Sequence, residues 1–103
     1  MGAFEAGLSH FDSGRFFEAH EAWEGLWLKA KDPEKDALQG LIQASVALHH
    51  QGNGNEKGAR WLKSQAETRL ERARKDFQGL DLGRFLVEFR AAFKGGPMPK
   101  LRP

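Results

Sequence analysis

Residues 37–48 read ALQGLIQASVAL, and this stretch decides the fold. It contains no charged side chain, and its apolar and small residues leave no polar face. A helix with such a pattern must be covered by neighbours on all sides, because exposed apolar surface is unfavourable in water. The stretch therefore predicts a central buried helix, which we expect over residues 33–51.

Four further segments with apolar residues at helical spacing flank this stretch in the chain. We expect them at about residues 2–13, 15–31, 56–77 and 81–94. Gly14 is expected to end the first helix, and Asp32 and Asp81 are expected to cap the third and fifth helices. No segment alternates apolar with polar residues over five positions, so no strand is expected. The sequence therefore predicts an all-α fold, a compact bundle of about five mostly antiparallel helices with helix three central.

The chain length and its loops predict the domain organisation. A chain of 103 residues falls within the size of one domain. No linker divides the helical segments, and Gly95-Gly96-Pro97 follows the last of them. We therefore expect a single all-helical domain over residues 1–94 and a C-terminal tail over residues 95–103.

Composition and charge limit the classes of function. The absence of cysteine excludes disulfides and thiolate metal sites, and it favours a reducing, cytoplasmic location. No secretory signal is expected at the start of the chain, and the polar residues within the uncharged run 37–55 argue against a membrane span. Residues 1–59 hold five Lys or Arg against nine Asp or Glu, whereas residues 60–103 hold eleven against five. This asymmetry suits either the binding of an anion or self-association.

A polar cluster is expected between the second and third helices. His20 and Glu24 are four residues apart on the helix that carries Trp23 and Trp27. The expected partners on the third helix are Gln39, Gln43, His49 and His50. We expect truncation of Glu24 to alanine to be clearly destabilising, because a buried donor left without a partner costs about 1–3 kcal/mol.

Two interpretations of this cluster are open. In the first, Glu24 accepts a hydrogen bond from the His20 ring and the cluster stabilises packing. In the second, His20, Glu24 and His49 hold a divalent metal such as zinc or iron, and Glu21 is the candidate base of a metal-dependent hydrolase. The known His-Glu-x-x-His motif does not match, because position 24 is Glu where that motif requires His.

The fourth helix offers a separate candidate surface. Trp61 lies off its apolar stripe, so we expect this side chain on a surface available to a partner. The helix also carries several cations, namely Arg60, Lys63, Arg69, Arg72, Arg74 and Lys75. Glu67, Glu71 and Asp76 interrupt them, so a solvated charged face is expected rather than a nucleic-acid interface.

Residues 11–59 contain a distinctive set of residues, namely Phe11, Gly14, Phe16, Phe17, Ala19, His20, Glu24 and Trp27, then Gln39–Gln43, Ala47–His50, Gly52-Asn53 and Gly58-Ala59. In these residues the segment resembles a prokaryotic family known as domain of unknown function 309. The resemblance implies a compact all-helical domain and marks His20, Glu24, Trp27, Gln43 and His49 as candidate site residues. It implies no activity.

Together these observations predict a small cytoplasmic helical module with a binding or structural role. We expect it to form a homo-oligomer, because the short chain has surplus aromatic residues and halves of opposite charge. We expect neither a membrane nor a nucleic acid as a partner. No residue pattern identifies a nucleophile, and the metal-dependent hydrolase is the alternative.

Overall fold

Five α-helices and one short 3₁₀ turn form the part of the chain that the computed structural model describes, residues 2–73 and 77–102. The helices are α1 (Ala3–Asp12), α2 (Phe16–Lys29), α3 (Glu34–Gly52), α4 (Glu56–Arg72) and α5 (Leu82–Ala92). These residues contain no strand. The Cα radius of gyration is 12.3 Å, close to the roughly 13 Å of a folded 100-residue domain. The predicted all-α bundle is confirmed.

α3 is the central helix, as its uncharged sequence predicts. Ten of its residues are buried, and it packs between α2 and α4. The Phe17 ring near the start of α2 lies 5.3 Å from the His49 ring near the end of α3, and the Lys35 ammonium lies 4.5 Å from the Trp27 ring. These contacts run in opposite directions along the two helices, so α2 and α3 are antiparallel. No helix in the described ranges has both the length and the apolar composition needed to cross a membrane.

Trp23 joins α2 to α1. Its side chain is fully buried, and its indole N–H donates a hydrogen bond to the carbonyl oxygen of Phe4 at 3.2 Å. The Phe11 ring lies 6.1 Å from the indole. Gly7 lies directly against the indole, because a Cβ atom at that position would be 2.1 Å from the ring nitrogen. The absence of a side chain at Gly7 therefore lets the two helices approach closely.

Two predicted helix boundaries are confirmed. Gly14 adopts a φ of 80° after α1, and the N–H of Arg15 donates to the carbonyl of His10 at 2.8 Å. Glycine suits this turn because a positive φ is unfavourable for residues with a Cβ atom. At the start of α5, the Asp81 carboxylate accepts a hydrogen bond from the N–H of Arg84 at 3.0 Å.

The predicted ends of two other segments are wrong. α4 ends at Arg72 rather than Phe77, since Ala73 is extended and Phe77 lies in a 3₁₀ turn with its ring 5.9 Å from the Phe4 ring. Asp32 does not cap α3, because the N–H groups of its first turn donate to the preceding backbone carbonyls instead. Three residues named in the sequence analysis, Arg74, Lys75 and Asp76, lie outside the described residues.

The segment after α5 packs against α1. Residues 95–102 contain no helix, yet Leu101 is buried and its N–H donates to the Asp12 carboxylate at 2.7 Å. The backbone N–H of Arg102 donates to the same carboxylate at 3.2 Å. A domain limit at residue 94 stays a prediction, but the segment expected as a tail is attached to the helices.

An ion-pair group joins α3 to α4. The Asp36 carboxylate accepts hydrogen bonds from Arg72 at 2.9 and 3.1 Å and from Arg69 at 2.5 Å. The hydrogen bond from Arg72, with that from Arg69 and the attraction of both cations, lowers the pKa of Asp36 from its ordinary value of 3.8, although burial acts in the opposite direction. Because the folded pKa lies below the unfolded one, this stabilisation is full above about pH 4 and is lost as the pH falls through the folded pKa.

We expect Gly7→Ala to lower the free energy of unfolding by about 1–3 kcal/mol, because the added methyl group overlaps the Trp23 indole. Gly25→Ala is the matched control in α2, where a Cβ atom meets nothing within 4 Å. It should raise the free energy of unfolding by up to about 1 kcal/mol through better helix propensity. Urea unfolding curves measure both values, and equal stabilities would contradict the close packing at Gly7.

We expect Asp36→Asn to reduce the loss of stability that the parent shows below about pH 4. The substitution removes the carboxylate whose lowered pKa makes acid protonation unfavourable in the folded state. Glu34→Gln is the control, since Glu34 is an exposed carboxylate on the same helical turn. Urea unfolding at several acidic pH values gives the comparison. An identical acid dependence in the parent and Asp36→Asn would rule out this contribution.

Candidate functional site

His20 and Glu24 contact each other on α2, as their spacing predicts. The distance from His20 Nε2 to Glu24 Oε2 is 2.9 Å, and His20 Nδ1 lies 3.0 Å from the carbonyl oxygen of Phe17. Both ring nitrogens therefore have partners on α2 itself. The side chain of His20 is 20% exposed and that of Glu24 is 57% exposed. The pair therefore lies at the edge of the core, and its carboxylate faces solvent rather than being buried.

Phe17 connects the two candidate histidines. Its ring lies 5.0 Å from the His20 ring and 5.3 Å from the His49 ring. The three rings form a row from α2 to α3, and Phe17 remains about half exposed. At the end of the row, the Asn53 side-chain amide donates to the His49 carbonyl at 2.9 Å and lies 3.3 Å from His49 Nε2. We call Phe17, His20, Glu24 and His49 the histidine cluster.

The glutamines and the remaining candidates lie outside this cluster. Gln43 is buried, and its Oε1 atom has no hydrogen-bond partner within the described residues. Gln39 is partly buried. The ring of His50 lies 3.3 Å from the side-chain amide of Asn55. Trp27 is partly buried beneath Lys35. Within residues 2–73 and 77–102, no hydrogen bond joins Glu24 to Gln39 or Gln43, so the structural network with the glutamines stays a prediction.

The three predicted metal ligands are not assembled as a ligand set. His20 uses Nε2 for its contact with Glu24, and the Phe17 ring packs against both His20 and His49. In residues 2–73 and 77–102, no three His, Asp or Glu side chains are grouped so that they could hold a metal ion. The metal site of His20, Glu24 and His49 stays a prediction that rests on residue types and spacing.

A shallow depression of about 400 Å³ adjoins the histidine cluster. It lies between the start of α2, the end of α3 and the C-terminal segment. Its lining includes Arg15, Phe16, Phe17, Glu18, Leu48, His49, Asn53 and Met98. Aromatic walls with charged residues at the rim suit a partner group that is apolar and carries a polar edge.

The sequence analysis did not name three residues of this region, Phe17, Asn53 and Met98, as candidate site residues. Helical spacing could have identified two of them, because Phe17 precedes His20 by three residues and Asn53 follows His49 by four. No local sequence pattern points to Met98. It reaches the depression because the C-terminal segment packs against α1, and no local pattern encodes that contact.

Trp61 lies on the surface, as predicted. Its side chain is 63% exposed in the early turns of α4. Lys57 and Arg60 line the same open depression beside its indole. An exposed indole between cations is therefore the main feature of this end of the helix.

Comparisons with known proteins identify the family. The family model described as "Domain of unknown function (DUF309)" matches residues 4–62, and the chain belongs to this family. The matched range spans α1, α2, α3 and the start of α4, so it includes the whole histidine cluster. The chain is also similar to an "Uncharacterized protein" of Aquifex aeolicus (strain VF5), with 31% identity over 96 residues. The match covers 89% of this chain and 29% of that relative, so the chain spans less than a third of the relative's length. No solved structure matches the chain.

We expect Glu24→Ala to change the free energy of unfolding by less than about 1 kcal/mol, because a polar contact of an exposed side chain contributes little. Glu21→Ala, an exposed substitution one turn earlier, controls for helix propensity. Trp23→Ala should lower the free energy of unfolding by about 3–5 kcal/mol, since its side chain is fully buried. Denaturant unfolding measures all three variants. A loss at Glu24 several-fold larger than at Glu21 would show that the pair supports packing after all.

Proposed function

We propose that this chain is a small cytoplasmic helical binding module that self-associates, with α2 of one copy packed against α4 of another. The observation that carries the proposal is the exposure of large apolar side chains on two helical faces of opposite charge. The lack of cysteine supports the location in a reducing compartment.

The first face is an outer stripe of α2. Phe17, Glu21, Glu24 and Leu28 follow one another at i, i+4, i+7 and i+11, which places them along one side of the helix. Phe17 is 46% exposed and Leu28 is 69% exposed. The two glutamates between them are also exposed. We call these four residues the acidic face, since carboxylates separate its two apolar ends.

The second face lies on α4. Lys57, Arg60, Trp61 and Ser64 follow at i, i+3, i+4 and i+7 and are all exposed. We call these four residues the basic face. An exposed tryptophan flanked by cations has the composition of an interface anchor, because Trp and Arg supply much of the binding energy in protein interfaces.

The two faces complement each other in charge and in apolar content. Contact between them would bury Trp61 with Phe17 and Leu28, and full burial of a Phe or Leu side chain is worth about 1.5–3 kcal/mol. Two acidic faces or two basic faces would repel, which selects the pairing of α2 with α4. Each copy has one face of each kind, so a dimer with two-fold symmetry could use both faces of both copies.

We expect Leu28→Ser and Trp61→Ser each to weaken self-association at least about tenfold, because each removes an apolar group from the contact. Val87→Ser is the matched control, since Val87 is 68% exposed on α5 and belongs to neither face. Sedimentation at micromolar concentration measures the association. A parent that stays monomeric at low salt, or a Val87→Ser variant that dissociates as Trp61→Ser does, would contradict the proposal.

A charge-reversal pair tests which faces meet. Glu21→Lys with Glu24→Lys makes both faces basic, and Lys57→Glu with Arg60→Glu makes both acidic. We expect each double variant to be monomeric and an equimolar mixture of the two to form a heterodimer, because opposite faces then meet again. A mixture that remains monomeric while both variants keep the parent's circular dichroism would show that the two faces do not pair.

A further inference from the structure

A cavity of about 660 Å³ lies at the opposite end of α3 from the Asp36 ion pairs. It is bordered by the α3–α4 loop, the start of α4 and the end of α5. Four cationic side chains line it, namely Arg60, Lys63, Arg90 and Lys94. Glu56 contributes a carboxylate to the same lining, and Phe93 contributes an aromatic ring. Arg60 is the one residue that the cavity shares with the basic face.

Glu67 holds two of these cations in place. Its carboxylate accepts hydrogen bonds from Lys63 at 3.1 Å and from Arg90 at 2.5 Å. Burial raises the pKa of Glu67, but the hydrogen bonds from Arg90 and Lys63 and the attraction of both cations lower it below its ordinary value. Glu67 is therefore ionised at neutral pH and keeps both cations ordered. The Lys63 ammonium also lies 5.6 Å from the centre of the Phe93 ring.

Arg60 and Lys94 differ from that pair in two respects. Both are exposed, and neither makes an ion pair with any residue in the ranges 2–73 and 77–102. An anion can therefore bind to both without displacing a carboxylate of the described residues from them. The cavity thus combines two cations with fixed positions and two whose charge is available.

We propose that this cavity binds the phosphate groups of a small organic anion. Guanidinium and ammonium groups are the usual phosphate ligands, and the planar guanidinium donates two parallel hydrogen bonds to phosphate oxygens. The volume falls within the roughly 300–1,000 Å³ of small-molecule sites. Phe93 offers an apolar surface for the organic part of the ligand.

A nucleic-acid backbone fits the arrangement less well. Such a backbone requires an extended basic stripe or patch. Along α4, Glu67 and Glu71 both pair with Arg90 and thus interrupt the positive surface beyond the cavity. The cationic groups are therefore gathered in one concave place, which suits a small ligand.

The proposal is tested by isothermal titration calorimetry with ATP and with inorganic tripolyphosphate, at low salt and without divalent cations. We expect saturable binding of ATP that weakens as the salt concentration rises, and weaker binding of tripolyphosphate. Lys94→Gln and Arg60→Gln should each weaken ATP binding about tenfold, because each removes a charge-assisted hydrogen bond. The double variant Lys29→Gln with Lys31→Gln is the control, because it removes two exposed cations at and just after the end of α2. It should bind ATP as tightly as the parent does.

Four results would overturn the proposal or part of it. The absence of saturable ATP binding up to about 10 mM, or unchanged binding by Lys94→Gln, would remove the phosphate site. Binding of a single-stranded oligonucleotide without binding of ATP would show that the partner is a nucleic acid instead. Equal affinities for ATP and tripolyphosphate would overturn the role of Phe93. Lys94 lies on neither association face, so unchanged sedimentation of Lys94→Gln keeps this test separate from that of self-association.

Discussion

The packing of the Trp23 indole against Gly7 is the contact on which the rest of the bundle depends. It sets the approach of α1 to α2, because a Cβ atom at position 7 would overlap the indole. With that approach fixed, Phe11 lies 5.0 Å from Phe16 at the α1–α2 turn and 5.5 Å from Phe85 of α5. A single large-to-small contact between two neighbouring helices thereby positions the aromatic residues that hold a helix distant in sequence.

A glycine also permits close helix packing between α3 and α4. A Cβ atom at Gly40 would lie 2.9 Å from the Leu70 side chain, so α4 also approaches a helix where a side chain is missing. α3 is thus enclosed by α2 on one side and by α4 on the other, and Leu41 and Ala44 between them are fully buried. Close packing of this kind explains how a chain of 103 residues builds a core without disulfides.

Local sequence signals predicted the helices well because each helix encodes its own buried face. The uncharged stretch of α3, the turn at Gly14 and the cap at Asp81 all depend on residues within a few positions of one another. The position of Phe77 after α4 does not depend on local residues alone, since its ring contacts Phe4 of α1. The attachment of the C-terminal segment likewise depends on Asp12, which is 89 residues from Leu101 in the chain. Periodicity carries no information about such distant pairs.

In the candidate site, too, local sequence spacing predicts only part of the arrangement, even within one helix. The spacing of His20 and Glu24 determines that their side chains meet, but the packing of Trp23 against α1 determines which side of α2 faces the core. Trp23 takes the buried position, and Glu24 is therefore left in solvent.

Because the buried and exposed stripes of α2 are adjacent, Phe17 belongs both to the histidine cluster and to the acidic face. Any partner that covers the acidic face would therefore also cover Phe17 and Glu24 of the histidine cluster. The proposed self-association would thus reduce solvent access to that cluster.

The residues matched by the family model contain some of the candidate surfaces, whereas α5 and the C-terminal segment, outside the match, complete others. Residues 4–62 contain the histidine cluster, the acidic face and most of the basic face. The cavity proposed to bind phosphate is completed by α5 and the residues just after it, which supply Arg90, Phe93 and Lys94. Met98, which completes the depression beside the histidine cluster, comes from the C-terminal segment. The proposed phosphate binding requires α5 in its place. That place depends on the contact of Phe85 with Phe11, and therefore on the packing of Trp23 against Gly7.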